Sequence, residues 1–174
     1  MENQKYIFYY GKPADLPAPG NLEKGYSFKI WKPKIYEMWP KGLFFSISVV
    51  WWLLHALKIF KNSEYKIFLI YHNNKEVANY SVVLPKYFRT PFLGKNDLQI
   101  GPVGTAENHR RKGLASYTIR KIIEFYKDKD IKFWYIARKE NEPSLLLAEK
   151  IGLKKYGEGA KKGILKKFAI EKIY

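Results

Sequence analysis

Apolar residues along this chain fall into short runs cut apart by Pro, Gly and Asn, and only three stretches change to helical spacing. The aromatic-rich runs Tyr6 to Tyr10 and Tyr26 to Trp31 read as short strands on either side of a Pro/Gly turn region. Pro33 and Pro40 then break the chain ahead of Leu43 to Phe60, a segment apolar almost all round that reads as a buried helix or helix pair closed by Lys61-Asn62-Ser63. Tyr65 to Tyr71 and Glu76 to Leu84 form a hairpin about the polar turn His72-Asn73-Asn74-Lys75. A loop around Pro91, Gly94 and Asn96 leads to a third strand at about Leu98 to Thr105. Gly101-Pro102 interrupts that strand and predicts a bulge or splay where a ligand meets unpaired backbone.

Beyond residue 110 the pattern alternates. Ala115, Ile119, Ile122, Ile123 and Tyr126 recur at helical spacing and predict an amphipathic helix ending near Lys127 to Lys129, with a basic last turn. Ile131 to Ala137 reads as a buried strand. Pro143 and Gly152 frame a helix from Pro143 to Ile151, and Leu153 to Tyr156 and Ile164 to Ile170 read as strands about a turn from Gly157 to Gly163. Hairpins mixed with a crossover predict an α/β (α+β) chain: a single mixed, mostly antiparallel β-sheet flanked by helices, with residues 1–174 as one domain.

Composition narrows the chemistry. With 174 residues, 47% of them hydrophobic, the chain can bury a sizeable core. It has no cysteine, which excludes disulfides, thiolate nucleophiles and Cys-ligated metal, fits a reducing compartment, and together with only three histidines (His55, His72, His109) leads us to expect no metal. The first twenty residues lack a continuous apolar core, so the expected location is the cytoplasm. A net charge of +16 attracts polyanions or anionic substrates. The basic residues are 27 Lys and 5 Arg, however, a balance that equally fits a Lys-rich composition without function and does not point to a specific nucleic-acid reader.

The most informative stretch is Arg110-Arg111-Lys112-Gly113-Leu114-Ala115, between a predicted strand and a predicted helix. A glycine at such a junction lets backbone approach a ligand closely, and the first helical turn leaves N–H groups free for an anion. Basic side chains at a helix N-terminus oppose the dipole by a few tenths of a kcal/mol each, which a bound anion would offset. About thirty residues downstream comes Asn141-Glu142-Pro143-Ser144-Leu145, followed by Leu146 to Leu153 with Gly152.

Together these motifs resemble the GNAT superfamily of acyl-CoA-dependent N-acyltransferases, over roughly Tyr65 to Ile170. The resemblance implies that acetyl-CoA is the acyl donor. Arg110, Arg111, Lys112, Gly113, Leu114, Ala115 and Ser116 would bind its pyrophosphate, and Val103, Gly104 and Thr105 would pair with the pantetheine arm. Asn141 and Ser144 would hold the cofactor from the neighbouring turn; as residue types they equally suit a helix cap. A backbone N–H at the splay, with Thr105 counted among the catalytic residues, would polarise the thioester carbonyl. The position of the family's base is occupied by Gln99, with Asp97 two residues earlier on the same face. The tyrosine that often acts as acid falls at Ala148 and is missing, with Tyr156 as a substitute or simply a sheet aromatic.

The implied activity is transfer of an acetyl or similar acyl group to a primary amine lying against Lys34 to Phe60, and the positive charge suits a small anionic acceptor such as a nucleotide-linked amino sugar. Two alternatives stand beside it: a basic nucleic-acid- or ribosome-binding module, and a membrane-associated acyltransferase acting on a lipid-linked acceptor, with weak membrane contact through residues 43–60.

Overall fold

A computed structural model describes residues 4–43 and 46–174. Eight strands form one sheet in the order β2-β3-β4-β5-β6-β1-β7-β8, antiparallel throughout except where β5 runs parallel to β6. The strands are β1 (Lys5–Gly11), β2 (Tyr26–Trp31), β3 (Lys66–His72), β4 (Glu76–Pro85), β5 (Leu98–Thr105), β6 (Phe133–Arg138), β7 (Lys154–Lys162) and β8 (Lys167–Ile173); the helices are α1 (Ser46–Ala56), α2 (Leu114–Phe125) and α3 (Glu142–Lys150).

The continuous apolar run of β1 places it in the middle of the sheet, buried on both faces between β6 and β7 rather than beside β2. One face carries Ile7, Tyr9, Leu98, Ile100, Phe133 and Tyr135 against Ile119, Ile122, Ile123 and Tyr126 after α2, and against Ala148 and Ile151 at α3. The opposite face carries Trp31, Ile67, Leu69, Val82 and Leu84 against Trp51 and Leu54 of α1. Each inward Ile or Leu withdrawn from water contributes about 1.5–3 kcal/mol, so both layers hold the sheet. The hairpin turn forms as its residues dictate: Asn73 and Asn74 both have positive φ, at 50° and 56°.

Four details differ from the sequence expectations. Residues 157–162 are not a turn but the greater part of β7, and the turn lies at 163–166, where the last strand was expected to begin. Glycine serves there for close approach, since a Cβ on Gly159 would lie 2.0 Å from the Ala169 carbonyl oxygen and one on Gly157 2.2 Å from that of Lys172. The last turn of α2 is not basic, because the helix stops at Phe125 and Lys127 to Lys129 follow it. The helical part of Leu43 to Phe60 is shorter than expected and not buried all round: Val50, Leu53 and Leu57 are exposed. Phe44 and Phe45 of that segment lie outside the described residues. Among the described residues, no helix is long and apolar enough to cross a membrane. Finally, α2 buries a polar residue the apolar period passed over, Thr118.

One ion-pair cluster clamps α2 to the sheet. The Glu64 carboxylate accepts from Lys66, from Lys129 Nζ (2.7 Å) and from Tyr126 Oη (2.9 Å). Burial alone would raise the Glu64 carboxyl, but hydrogen bonds from Lys129 and Lys66 outweigh it and hold the group at about 2, below its ordinary 4.5. A carboxyl depressed on folding stabilises the fold above its unfolded pKa, and that stabilisation is lost as pH falls through the folded value. Chemical denaturation should therefore show a stability loss between about pH 4.5 and about pH 2 that is flattened in Glu64→Gln, which is also less stable at pH 7. Gly159→Ala, forced against backbone, should cost about 1–3 kcal/mol in the same measurement.

Candidate active site

The cleft that holds most of the expected site residues begins where β5 parts from β6. β5 pairs with β4 at Leu98 to Ile100 and again at Val103 to Thr105, with a break at Gly101-Pro102, but meets β6 only through Leu98–Phe133, Gln99–Trp134 and Ile100–Tyr135. From Gly101 (φ 135°) onward its other edge faces away from β6, unpaired. The backbone groups of Val103, Gly104 and Thr105 thus lie at an open edge, the arrangement that an added extended segment can complete.

Asn79, fully buried on β4, holds this segment. Its Nδ2 donates to the Gly104 carbonyl and to Thr105 Oγ1, both at 2.8 Å, while Thr118 Oγ1 of α2 reaches its Oδ1 at 2.6 Å. The network ties β4, β5 and α2 together at the mouth of the gap, and every polar atom named is satisfied where an orphan would cost about 1–3 kcal/mol. Thr105 Oγ1 is therefore occupied in holding the strand, four residues along β5 from the start of the splay.

Between strand and helix the chain makes a 3-10 turn at Glu107–His109 and then the basic turn. Arg111 and Gly113 are both left-handed, with φ of 64° and 73°. Gly113 caps α2 with nothing within 4 Å of the place a Cβ would occupy, so its role is conformational and it leaves the approach clear. The first helical bond runs from Tyr117 N–H to the Gly113 carbonyl (3.0 Å), which leaves the N–H groups of Leu114, Ala115 and Ser116 without a carbonyl one turn earlier. With the positive end of the helix behind them, they form an anion cradle.

A cleft of about 660 Å³ connects these parts. Of the residues expected there, Val103, Gly104, Thr105, Arg110, Arg111, Gly113, Leu114, Ala115, Ser116 and Ser144 line it; its far wall is Pro143, Leu146 and Leu147 of α3. Lys112 lines an adjoining cavity of about 260 Å³ instead, its Nζ donating to Tyr26 Oη (3.1 Å). Asn141 is absent from the cleft wall, and its side chain accepts from the Ser144 N–H (3.3 Å) as the cap of α3. Asp97 stands at the other end of β5, about 20 Å from Val103 by strand rise. There its carboxylate accepts from the N–H groups of Gly94 and Lys132 and from Trp134 Nε1, which fixes a loop.

Gln99 is placed differently. It sits two residues below the splay, beside Trp134, and its Oε1 is buried with no hydrogen-bond partner among the described residues. Ala148 is fully buried in the core, and Tyr156 packs against Trp134 (5.1 Å between ring centroids) and Tyr10 (5.5 Å). The residue that sequence reasoning missed is Tyr135. It is buried, lies opposite Ile100 at the last paired position, and lines the cleft. Desolvation pushes its hydroxyl pKa up, partly countered by a hydrogen bond with Ser144. Within an apolar strand it reads only as core; its meaning comes from the β5–β6 register.

A second cavity, of about 500 Å³, lies between α1 and the loop after β2, lined by Pro33, Lys34, Trp52, His55 and Phe60 among others. Three strands separate that side of the sheet from the gap.

A family model described as the acetyltransferase (GNAT) family matches residues 27–153. No curated protein matches the chain. Several solved structures share the fold. A Drosophila protein has a TM-score of 0.62 at 14% identity, over 90% of this chain and 49% of that one. A GCN5-related N-acetyltransferase-like protein from Streptococcus suis has 0.55 at 18%, over 90% and 61%. A glucosamine N-acetyltransferase region in a fungal multi-domain β-N-acetylglucosaminidase has 0.62 at 15%, over 91% of this chain and 20% of that protein. The chain thus spans half to three-fifths of the first two. With most of its length matched by the family model, and with the parted strands and the anion turn in one cleft, the chain belongs to the GNAT family of acetyltransferases.

Proposed function

We propose that this protein transfers an acetyl or similar acyl group from coenzyme A directly to a primary amine. The observation that carries the reading is the continuity between the unpaired edge of β5 and the N–H cradle of α2 within one cleft. An acyl-pantetheine arm suits the first and a pyrophosphate the second. In this reading the cofactor is held by the cleft residues from Val103 to Ser116 and by Ser144, with Asn141 acting through the cap it forms. No metal takes part in the transfer.

Direct transfer needs three things. The thioester carbonyl is polarised by backbone N–H at the splay. The attacking amine is oriented by Gln99 Oε1, an acceptor without a partner that cannot take a proton but can hold an amine N–H or a water. The departing thiolate takes a proton from Tyr135, which burial keeps protonated at neutral pH. The N–C bond forms as the C–S bond breaks, the proton shed by the nitrogen leaves to solvent, and the Tyr135 phenolate regains a proton from solvent.

The acceptor side of the gap is an aromatic wall: Trp134 packs against Phe92 (5.0 Å) and Tyr156, and Tyr156 against Tyr10. Flat aromatic faces fit a sugar or other ring, and the fungal relative is named for glucosamine. With a net charge of +16, an anionic amino sugar such as a nucleotide-linked one is the acceptor we favour, in the cytoplasm.

Calorimetry should show acetyl-CoA binding one-to-one, weakened about 100-fold in Gly113→Glu, where a carboxylate meets the phosphates, a loss of about 2.7 kcal/mol. Absence of binding to the wild type would remove the reading. In a thiol-release assay across amino sugars, amino acids and peptides, Tyr135→Phe should lower kcat about 100-fold with coenzyme affinity unchanged. Gln99→Leu should raise KM for the amine and leave KM for acetyl-CoA as it was.

A further inference from the structure

At the edge of the cleft, whose wall includes His109, three metal-ligating side chains from two separate stretches of chain converge. His72 and Glu76 face each other across the β3–β4 hairpin, and His109 ends the 3-10 turn before the basic loop. One ring nitrogen of His72, one of His109 and a Glu76 carboxylate oxygen all lie within 4.8 Å of one another. His72 Nδ1 is 3.6 Å from Glu76 Oε1, and His109 Nε2 contacts the same oxygen. The two imidazole rings are 4.8 Å apart between centroids and tilted at 54°.

We propose that His72, Glu76 and His109 form a binding site for a divalent transition-metal ion, zinc being the ion their chemistry fits best. Two imidazoles and one carboxylate are a three-ligand set that leaves one tetrahedral position for water. The set contains no thiolate, and too few oxygens for calcium or magnesium.

The surroundings fit a ligating histidine. His109 is 3% exposed, and its other ring nitrogen, Nδ1, lies 2.8 Å from Tyr26 Oη, which in turn accepts from Lys112 Nζ. A partner on the far nitrogen fixes the ring plane and the tautomer, the outer-shell feature that accompanies metal-bound histidine. Tyr26 also packs edge-on against His109 and tilted over His72, walling the cluster on one side. Glu76 is exposed and His72 partly so, which leaves an entry path from solvent.

Without metal the triangle is closed by a proton: His109 Nε2–H donates to Glu76, and Tyr26 O–H donates to Nδ1. Metal takes the place of that shared proton. The ring then carries its hydrogen on Nδ1 and donates to Tyr26 Oη, and the Tyr26 O–H turns to solvent. An ion here would join the β3–β4 hairpin to the segment that leads into Arg111 and Gly113. Its binding does not depend on the coenzyme reading.

The test uses the full chain without an added histidine tag, stripped with chelator. Titration with Zn²⁺ by calorimetry should give one site, and Co²⁺ should give the visible absorption of a low-symmetry, four-coordinate ion. His72→Ala and His109→Ala should each weaken Zn²⁺ binding by more than about 10–100-fold, beyond the loss typical of outer-shell partners. His55→Ala, distant from the cluster, should bind as the wild type does. Zn²⁺ should also raise the melting temperature of the wild type and of His55→Ala but not that of His72→Ala, a partly exposed position whose loss leaves the core intact. Failure of the wild type to bind, or equal binding by wild type and His72→Ala, would overturn the proposal.

Discussion

The site depends on one asymmetry: β5 resumes its pairing with β4 at Val103 after the break at Gly101-Pro102, but does not resume its pairing with β6 after Ile100. A strand in the middle of an eight-stranded sheet ordinarily has both edges satisfied, and an unpaired stretch inside a fold is costly unless something else takes the backbone groups. Here the parting is local because the two sides are anchored differently. β6 follows β1, with which it pairs from Tyr6–Arg138 to Gly11–Phe133. β5 follows β4, and the Asn79 amide pins its last residues there. The gap is the seam between two well-bonded half-sheets, so opening it does not loosen either.

The same seam determines where α2 starts. Thr118, one turn into the helix, shares Asn79 with β5, so the first turn of α2 cannot drift from the mouth of the gap. Left-handed backbone at Arg111 and Gly113 then turns the chain sharply enough for the helix to begin beside the strand it has just left. Anion cradle and open edge are thus held in one geometry by a buried amide and two hydroxyls. Basic side chains in the turn add charge, but its direction comes from backbone.

Much of this was legible in the residues, and what was not has physical reasons. The hairpin about Asn73 and Asn74, the interruption at Gly101-Pro102 and the cap at Gly152 were readable because Asn, Gly and Pro act through local backbone preference. The β7 glycines were misread as a turn because the same absence of a Cβ also serves close strand approach, and only Ala169 and Lys172 from a later strand distinguish the two uses. The pairing of β1 with β6 and β7 could not be read from aromatic runs, since nothing local says which strand will be the neighbour. Tyr135 was hidden for the same reason: in its strand it is one more apolar position, and only the register opposite Ile100, at the end of the paired stretch, places it in the cleft wall. Asp97 shows the converse, a residue plausible by strand alternation whose carboxylate is committed to Gly94, Lys132 and Trp134.

For the proposed transfer, the absence of a carboxylate at Gln99 changes where the proton balance is struck. A glutamate there would raise the acceptor ammonium's pKa by its own charge and then have to remove the proton it had stabilised. Gln99 offers an acceptor without charge, and a protein carrying +16 disfavours a further cation near its surface. Relative to a glutamate at that position, both would lower the proton affinity of an incoming amine, so a larger fraction would arrive neutral. The same positive field stabilises a departing thiolate and the phosphates of the donor. Basicity spread over the whole molecule can therefore serve nucleophile, leaving group and cofactor together, a use of charge that a single base at position 99 would partly cancel.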